Sequence, residues 1–145
     1  MEFQALIRSD AEIGYSTYTN ISGSTITKGT GGYLSTNTAS NTGYGVVNTT
    51  TGAQALFVGV AEKNIANTVA GRFISWGYAA SVEIFGLGTS ITVGAGNPIG
   101  PGLTASLGGF NSAGLTYAYG PIVAIEAVAN TCSAGTWVKG FVRGM

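Results

Sequence analysis

The sequence predicts an all-β fold: a small β-barrel or sandwich domain preceded by an extended N-terminal arm. Three observations lead there. Short β-branched and aromatic runs are punctuated by glycine and proline turns, the pattern of a barrel or sandwich. Glycine is abundant, at 24 of 145 residues, and falls inside the apolar runs, where it permits bulges and tight corners. No segment combines the length and the 3.6-residue periodicity of a well-supported helix. The best helical candidate, VAEKNIANTVA at 60–70, is short, rich in asparagine and bounded by Gly59 and Gly71.

Composition divides the chain into a polar arm, residues 1–52, and a barrel-like domain, residues 53–145. Between Gly29 and Ala61 no residue is charged. GTGGYLSTNTASNTGYGVVNTTTG, residues 29–52, offers little apolar area to offset the entropy of ordering it. It reads as an arm ordered against a neighbouring subunit, as loops of the domain itself, or as a free linker. Tyr15, Tyr18, Tyr33 and Tyr44 favour the arm, because tyrosine joins apolar area to a hydroxyl and anchors interfaces. On that reading, removal of residues 1–45 leaves a folded domain.

The strands follow in order. ALFVGVA, residues 55–61, reads as a buried strand broken by Gly59. VAGRFISWGYAASVEIFG, residues 69–86, alternates in pieces: Ser81, Glu83 and Phe85 share one face, Val82 and Ile84 the other. GLGTS, residues 86–90, is glycine-rich but leads into a strand, so it reads as a turn rather than a phosphate loop. GTSITVGAGNPIGPG gives two very short strands around a turn at Gly94–Asn97. Pro98 and Pro101 flank Ile99 and argue against a central strand there. In GPIVAIEAVA, Ile122, Val123 and Ile125 favour a strand over a short helix. In GTWVKGFVRG, Trp137, Lys139, Phe141 and Arg143 share one face and Val138, Gly140 and Val142 the other.

The chemistry points away from catalysis. There is no histidine, which removes the commonest general base, the commonest transition-metal ligand and every Ser-His or Cys-His arrangement. Cys132 is the only cysteine; it forms no internal disulfide or zinc site and reads as a small apolar residue. Glu62, Glu83 and Glu126 lie in different elements, and each reads as a surface residue near a basic neighbour (Glu62 precedes Lys63) or at a strand edge. Asp10 and Glu12 supply too few oxygen ligands for calcium. The expectation is a protein that is no enzyme and needs no cofactor.

Charge bears on partners. Only 8% of residues are charged, where roughly 25% is usual, and six bases balance six acids. Nucleic-acid binding needs a positive surface that this chain lacks. No apolar run of 18 residues predicts a membrane-spanning helix. MEFQALIRSDAE carries acidic residues and no apolar core, so synthesis in a host cytoplasm without a signal peptide is expected. A surface poor in charge is cheap to desolvate and suits assembly with neighbouring subunits.

A resemblance then enters. FVGVAEKNIANTVAGRFISWGYAASVEIFG, TSITVGAGNPIGPG, GPIVAIEAV and WVKGFVRG resemble, in order, the segments of phage capsid decoration (cement) proteins of the small DUF2190-like group. Gly59-Val60-Ala61 matches the first strand of that group. Ile91 to Ile99 matches its turn-bearing element, Ile122 to Ala127 its A-x-E-A element, and Val138 to Val142 its last strand. The resemblance spans about residues 53–145. Residues 1–50 lie outside it, and the group's usual Gly-Asp turn stands here as Gly96-Asn97. What it implies is a small β-barrel or β-tulip domain that forms a homotrimer on the outside of an icosahedral head. It would sit at three-fold positions and fasten neighbouring subunits of the major capsid protein, without catalytic residues. Trp76 and Trp137 join the four tyrosines as expected interface anchors. The competing readings are a trimeric fibre-tip or receptor-binding domain, a shell-building subunit, and a carbohydrate-acting protein or lectin with Trp76, Tyr78 or Trp137 as its platform.

Overall fold

The computed structural model describes residues 12–35, 45–48, 56–84, 91–101, 110–111, 121–130 and 136–143. The described residues are all-β and contain no α-helix. Eleven strands form: β1 (Gly14–Asn20), β2 (Gly31–Leu34), β3 (Gly45–Val47), β4 (Phe57–Ala61), β5 (Ala70–Ile84), β6 (Ile91–Val93), β7 (Pro98–Pro101), β8 (Phe110–Asn111), β9 (Ile122–Ala124), β10 (Val128–Asn130) and β11 (Thr136–Val142).

Nine of them make one mixed sheet in the order β1-β3-β2-β4-β5-β11-β9-β7-β8. Two further pairings, β1 with β5 and β5 with β8, close the hydrogen bonding into two rings that share β5. β6 and β10 form a separate antiparallel ribbon. The 15 residues of β5 are the spine of the molecule. Its first half pairs with β1 and β4, its second half with β11.

Because adjacent strand residues point to opposite faces, Phe73 and Ile74 serve two different cores. Phe73 packs with Ile26, Val46, Ala61 and Ile65. Ile74 belongs to the larger cluster, with Tyr33, Phe57, Val60, Val82, Ile84, Ile99, Ile122, Val138 and Val142. The alternation read from sequence for β5 and β11 is observed. Val82, Ile84, Val138 and Val142 are fully buried, while Trp137, Lys139 and Arg143 are exposed. The 94–97 turn is observed as well: Asn97 N donates to Gly94 O, and the turn is latched to β9 by Gly96 N to Ala124 O and Ala124 N to Asn97 O. Residues 60–70 are not helical; they hold the end of β4, a bend, a single bridge at Ile65 and a turn.

Three sequence expectations are corrected. First, the described part of residues 1–52 is not an arm lying apart from the domain. β1 pairs with β5 from Gly14↔Trp76 to Thr19↔Ala70, and β2 pairs with β4 at Gly31↔Val60. A segment poor in apolar residues still places Ile26, Tyr33 and Val46 in the cores, and the sheet satisfies its backbone. Second, Pro98–Pro101 is an inner strand, with β9 on one side and β8 on the other. Each neighbour pairs with only two of its residues, so the missing prolyl N–H groups forfeit few ladder bonds. Third, GPIVAIEAVA is two strands rather than one: β9 joins the large sheet and β10 joins β6.

Candidate functional site: an exposed aromatic face

The face of β5, β11 and β9 turned away from the larger cluster carries an unusual set of side chains. Regular alternation in β11 sends Trp137, Lys139, Phe141 and Arg143 to it. Directly paired residues share a face, so Glu83 joins opposite Trp137, Tyr78 opposite Phe141, and Val123 on the far side of Phe141. Ile125 follows, its N–H donating to Lys139 O.

Trp76 reaches this face through a bulge. Gly14 pairs with Trp76 and Tyr15 with Ile74, so β5 takes one extra residue between them. A bulge re-aims the side chains that follow it. Ile74 therefore points into the larger core while Trp76 points out and meets Phe141 edge to face, with centroids 5.4 Å apart and planes at 83°. A second register shift lies where Val138 pairs with Val82 and Gly140 with Ala79. The extra residue there restores the inward aim of Val82 and Ile84.

Trp76 remains 48% exposed, Trp137 42% and Ile125 46%. Isolated surface apolar residues are ordinary, but an aromatic pair in contact, Trp76 with Phe141, on the face that also exposes Trp137 and Ile125 is the composition of an interaction surface. Trp137 leans from β11 across Ser81 to lie on Gly29, which has positive φ (83°) and no side chain to obstruct the ring. Gly29 O in turn accepts the Glu83 N–H.

Among the described residues two ion pairs form. Lys139 Nζ lies 3.1 Å from Glu126 Oε2, and Lys139 N donates to Glu126 Oε1. Those hydrogen bonds, the backbone one first, hold the Glu126 carboxyl below its ordinary value; the side-chain bond to Glu126 raises Lys139. Glu62 takes a two-pronged contact from Arg72 Nε and Nη2, at 2.9 Å each, so its partner is Arg72 rather than the adjacent Lys63. Glu83 differs. It is half-buried, and burial alone pushes its carboxyl above the ordinary value.

The six anchors expected from sequence separate on this geometry. Trp76 and Trp137 share the outer face. Tyr15 is exposed elsewhere, on β1, with the Arg72 guanidinium 4.7 Å above its ring. Tyr18 is half-buried and edge-on to Phe73. Tyr33 is corrected from interface anchor to core residue: it is 2% exposed, packs edge-on to Phe57, and burial raises its hydroxyl far above the usual value. In β2, between β3 and β4, it takes the face that the larger cluster covers. Tyr44, the GLGTS turn, Phe85, Asp10 and Cys132 lie outside the described residues. Phe141, Tyr78 and Glu83 belong to the face but were not read as anchors, although the alternation of GTWVKGFVRG already put Phe141 on the Trp137 side.

Among the described residues no group of three or more Cys, Asp or Glu is placed to hold a metal ion, and no helix is long and apolar enough to cross a membrane. A shallow open cleft lies beside the Glu62–Arg72 pair, lined also by Lys63 and Val69. No family model and no curated protein matches the chain.

Proposed function

We propose that the chain is a structural virion protein that binds the outside of a phage head as a trimer and clamps neighbouring major capsid subunits. The observation that carries this reading is the exposed face of Trp76, Tyr78, Phe141 and Trp137 on a chain with only 8% charged residues. Aromatic side chains with few charges are the composition of an interface centre. The segments that resemble decoration proteins carry this face and the turn beside it: the 57–86 segment holds Trp76 and Tyr78 on β5, the 137–144 segment holds Trp137 and Phe141 on β11, and the 94–97 turn is latched to β9. On this reading the protein is no enzyme, and its mechanism is multivalent attachment. Three copies of one modest contact bind far more tightly together than singly, provided that all engage at once.

A second reading is favoured by one observation, that Trp76, Tyr78 and Trp137 share a single open face. A fibre-tip or receptor-binding domain would use such a face for a glycan. Copy number separates the two. Electron cryo-microscopy of the native particle should show the chain at every three-fold or quasi-three-fold position of the head surface. Density confined to a fibre or tail tip would refute the decoration reading.

A further inference from the structure

Among the described residues, the aromatic face holds one unmatched carboxylate, Glu83, with Arg143 as a separate exposed cation further along β11. Glu126 is answered by Lys139 and Glu62 by Arg72, but the Glu83 carboxylate has no hydrogen-bond or ion-pair partner among the described residues. It stands directly across the ladder from Trp137, which places the two Cβ atoms about 4.5–5.5 Å apart. The Trp137 ring is held in place from below by Gly29, and the residue is 42% exposed. An indole face and an unpaired carboxylate side by side have one complementary chemistry above others. A cation placed over the ring is drawn by the π-cloud and by the carboxylate together. A neutral hydroxyl would gain only the hydrogen bond that water already makes.

We propose that Glu83 and Trp137 together receive an arginine or lysine side chain from the protein to which this face docks. On a virus head, the reading on which this inference rests, the donor is the major capsid protein. Trp76, Phe141 and Ile125 then supply the apolar contact around that charged centre. Partial desolvation of Glu83 in the free protein means that part of the cost of burying the pair has been met before docking.

The test titrates the full-length protein onto heads purified from a virus that lacks its gene. Wild type is expected to bind, more weakly as salt rises. Glu83→Gln keeps the shape and removes the charge; it should weaken binding about tenfold or more and flatten the salt dependence. Trp137→Ala should weaken it similarly, and Glu126→Gln, which breaks the neighbouring ion pair, by less than about twofold. Glu83→Gln should melt no lower than wild type at neutral pH, since it removes a partly desolvated carboxylate, so a loss of binding cannot be charged to unfolding. If wild type binds but Glu83→Gln binds equally well at every salt concentration, the cation site is wrong and the head reading survives. If wild type does not bind heads, both fall. If wild type instead binds an immobilised glycan and the free glycan displaces it from heads, the face belongs to a saccharide and the cation proposal is overturned.

Discussion

Two loops of this molecule do the same thing with different residues. One runs from β1 to β2 through Ile26, the other from β4 to β5 through Ile65. They cross, and each serves the other reciprocally. Ile26 N donates to Ile65 O at 2.9 Å, and Ile65 N to Ile26 O at 2.8 Å. Gly29 N donates to Ala61 O while Thr68 N donates to Asn20 O; Ala61 N returns a bond to Thr30 O and Asn20 N one to Val69 O. Asn64 Oδ1 accepts from Lys28 N, and Asn67 Oδ1 from Gly23 N. Each isoleucine is followed three residues later by a left-handed residue, Gly29 (φ 83°) or Thr68 (φ 66°). Each is followed six residues later by a glycine that leaves room for a neighbour: Phe73 over Gly32, and Ile65 over Gly71. The backbone solution is shared; the difference lies in what covers it. The first loop is roofed by Trp137 and so touches the candidate docking face. The second is open to solvent at Thr68.

The largest way to break the comparison is to delete one loop outright. Removal of residues 1–45 takes away β1, β2 and the partner of every bond just named, and strips one side of β5. The truncated chain is expected to be unfolded at 25 °C by circular dichroism and amide exchange, contrary to the folded domain that composition alone suggests. Next come the two isoleucines, both almost fully buried. Ile26→Ala and Ile65→Ala should each cost about 2–5 kcal/mol in denaturant unfolding. A double-mutant cycle should show coupling of about 0.5 kcal/mol or more, because they share one cluster.

Gly29→Ala is the sharper test of the difference between the loops. A Cβ there would overlap the Trp137 ring and lie 2.9 Å from the Ser81 carbonyl oxygen, in a backbone conformation that alanine disfavours. Left-handed strain of about 1–2 kcal/mol adds to overpacking of about 1–3 kcal/mol. The melting temperature should fall accordingly. Trp137→Ala should recover part of the loss but not all, since the carbonyl and the φ angle remain.

How much of this was legible beforehand depends on whether the signal is local. Alternation in residues 81–84 and 137–143 and the Gly94–Asn97 turn were readable, because period-2 burial and turn chemistry lie within a few residues. The crossed loops were not. Ile26 and Ile65 are single apolar residues in polar stretches, and their value comes from a partner 39 positions away. The shared spacing of isoleucine, left-handed residue and glycine was the available clue. The aromatic face was half legible. Trp76 and Trp137 were named, but their common face requires the β5–β11 register and two bulges that no short window encodes. Tyr33 misleads for the opposite reason: its polar neighbours suggest a surface, whereas the face it takes in β2 is covered by distant residues such as Phe57 and Ile74.

Asn20 tests the asymmetry from within. It occupies in the first crossing the place Ala61 holds in the second, and it is fully buried. Its Nδ2 donates to Ser24 O and Ile65 O, and its Oδ1 accepts from Ser22 N and Oγ. The β1–β2 loop therefore uses a side chain to hold its first bend. Asn20→Ala should cost about 1–3 kcal/mol, by losing the hydrogen bonds that hold buried polar groups. It should also raise amide exchange at Ser22, whose N–H loses its acceptor, more than at Ile26 or Ile65, whose N–H groups keep each other's carbonyls.

The smallest effect has the opposite sign. Thr68 is a β-branched residue held at φ 66°, where its counterpart is glycine. The left-handed conformation costs a non-glycine residue about 1–2 kcal/mol. Thr68→Gly removes that strain but adds roughly 0.4–1 kcal/mol of backbone entropy to the unfolded chain. The net expectation is a gain of about 0–1.6 kcal/mol, read as a raised denaturant midpoint with an unchanged slope. A loss of stability would mean that Thr68 earns its place through a contact and is not merely tolerated. The two loops would then be alike only in backbone, not in what their turns are worth.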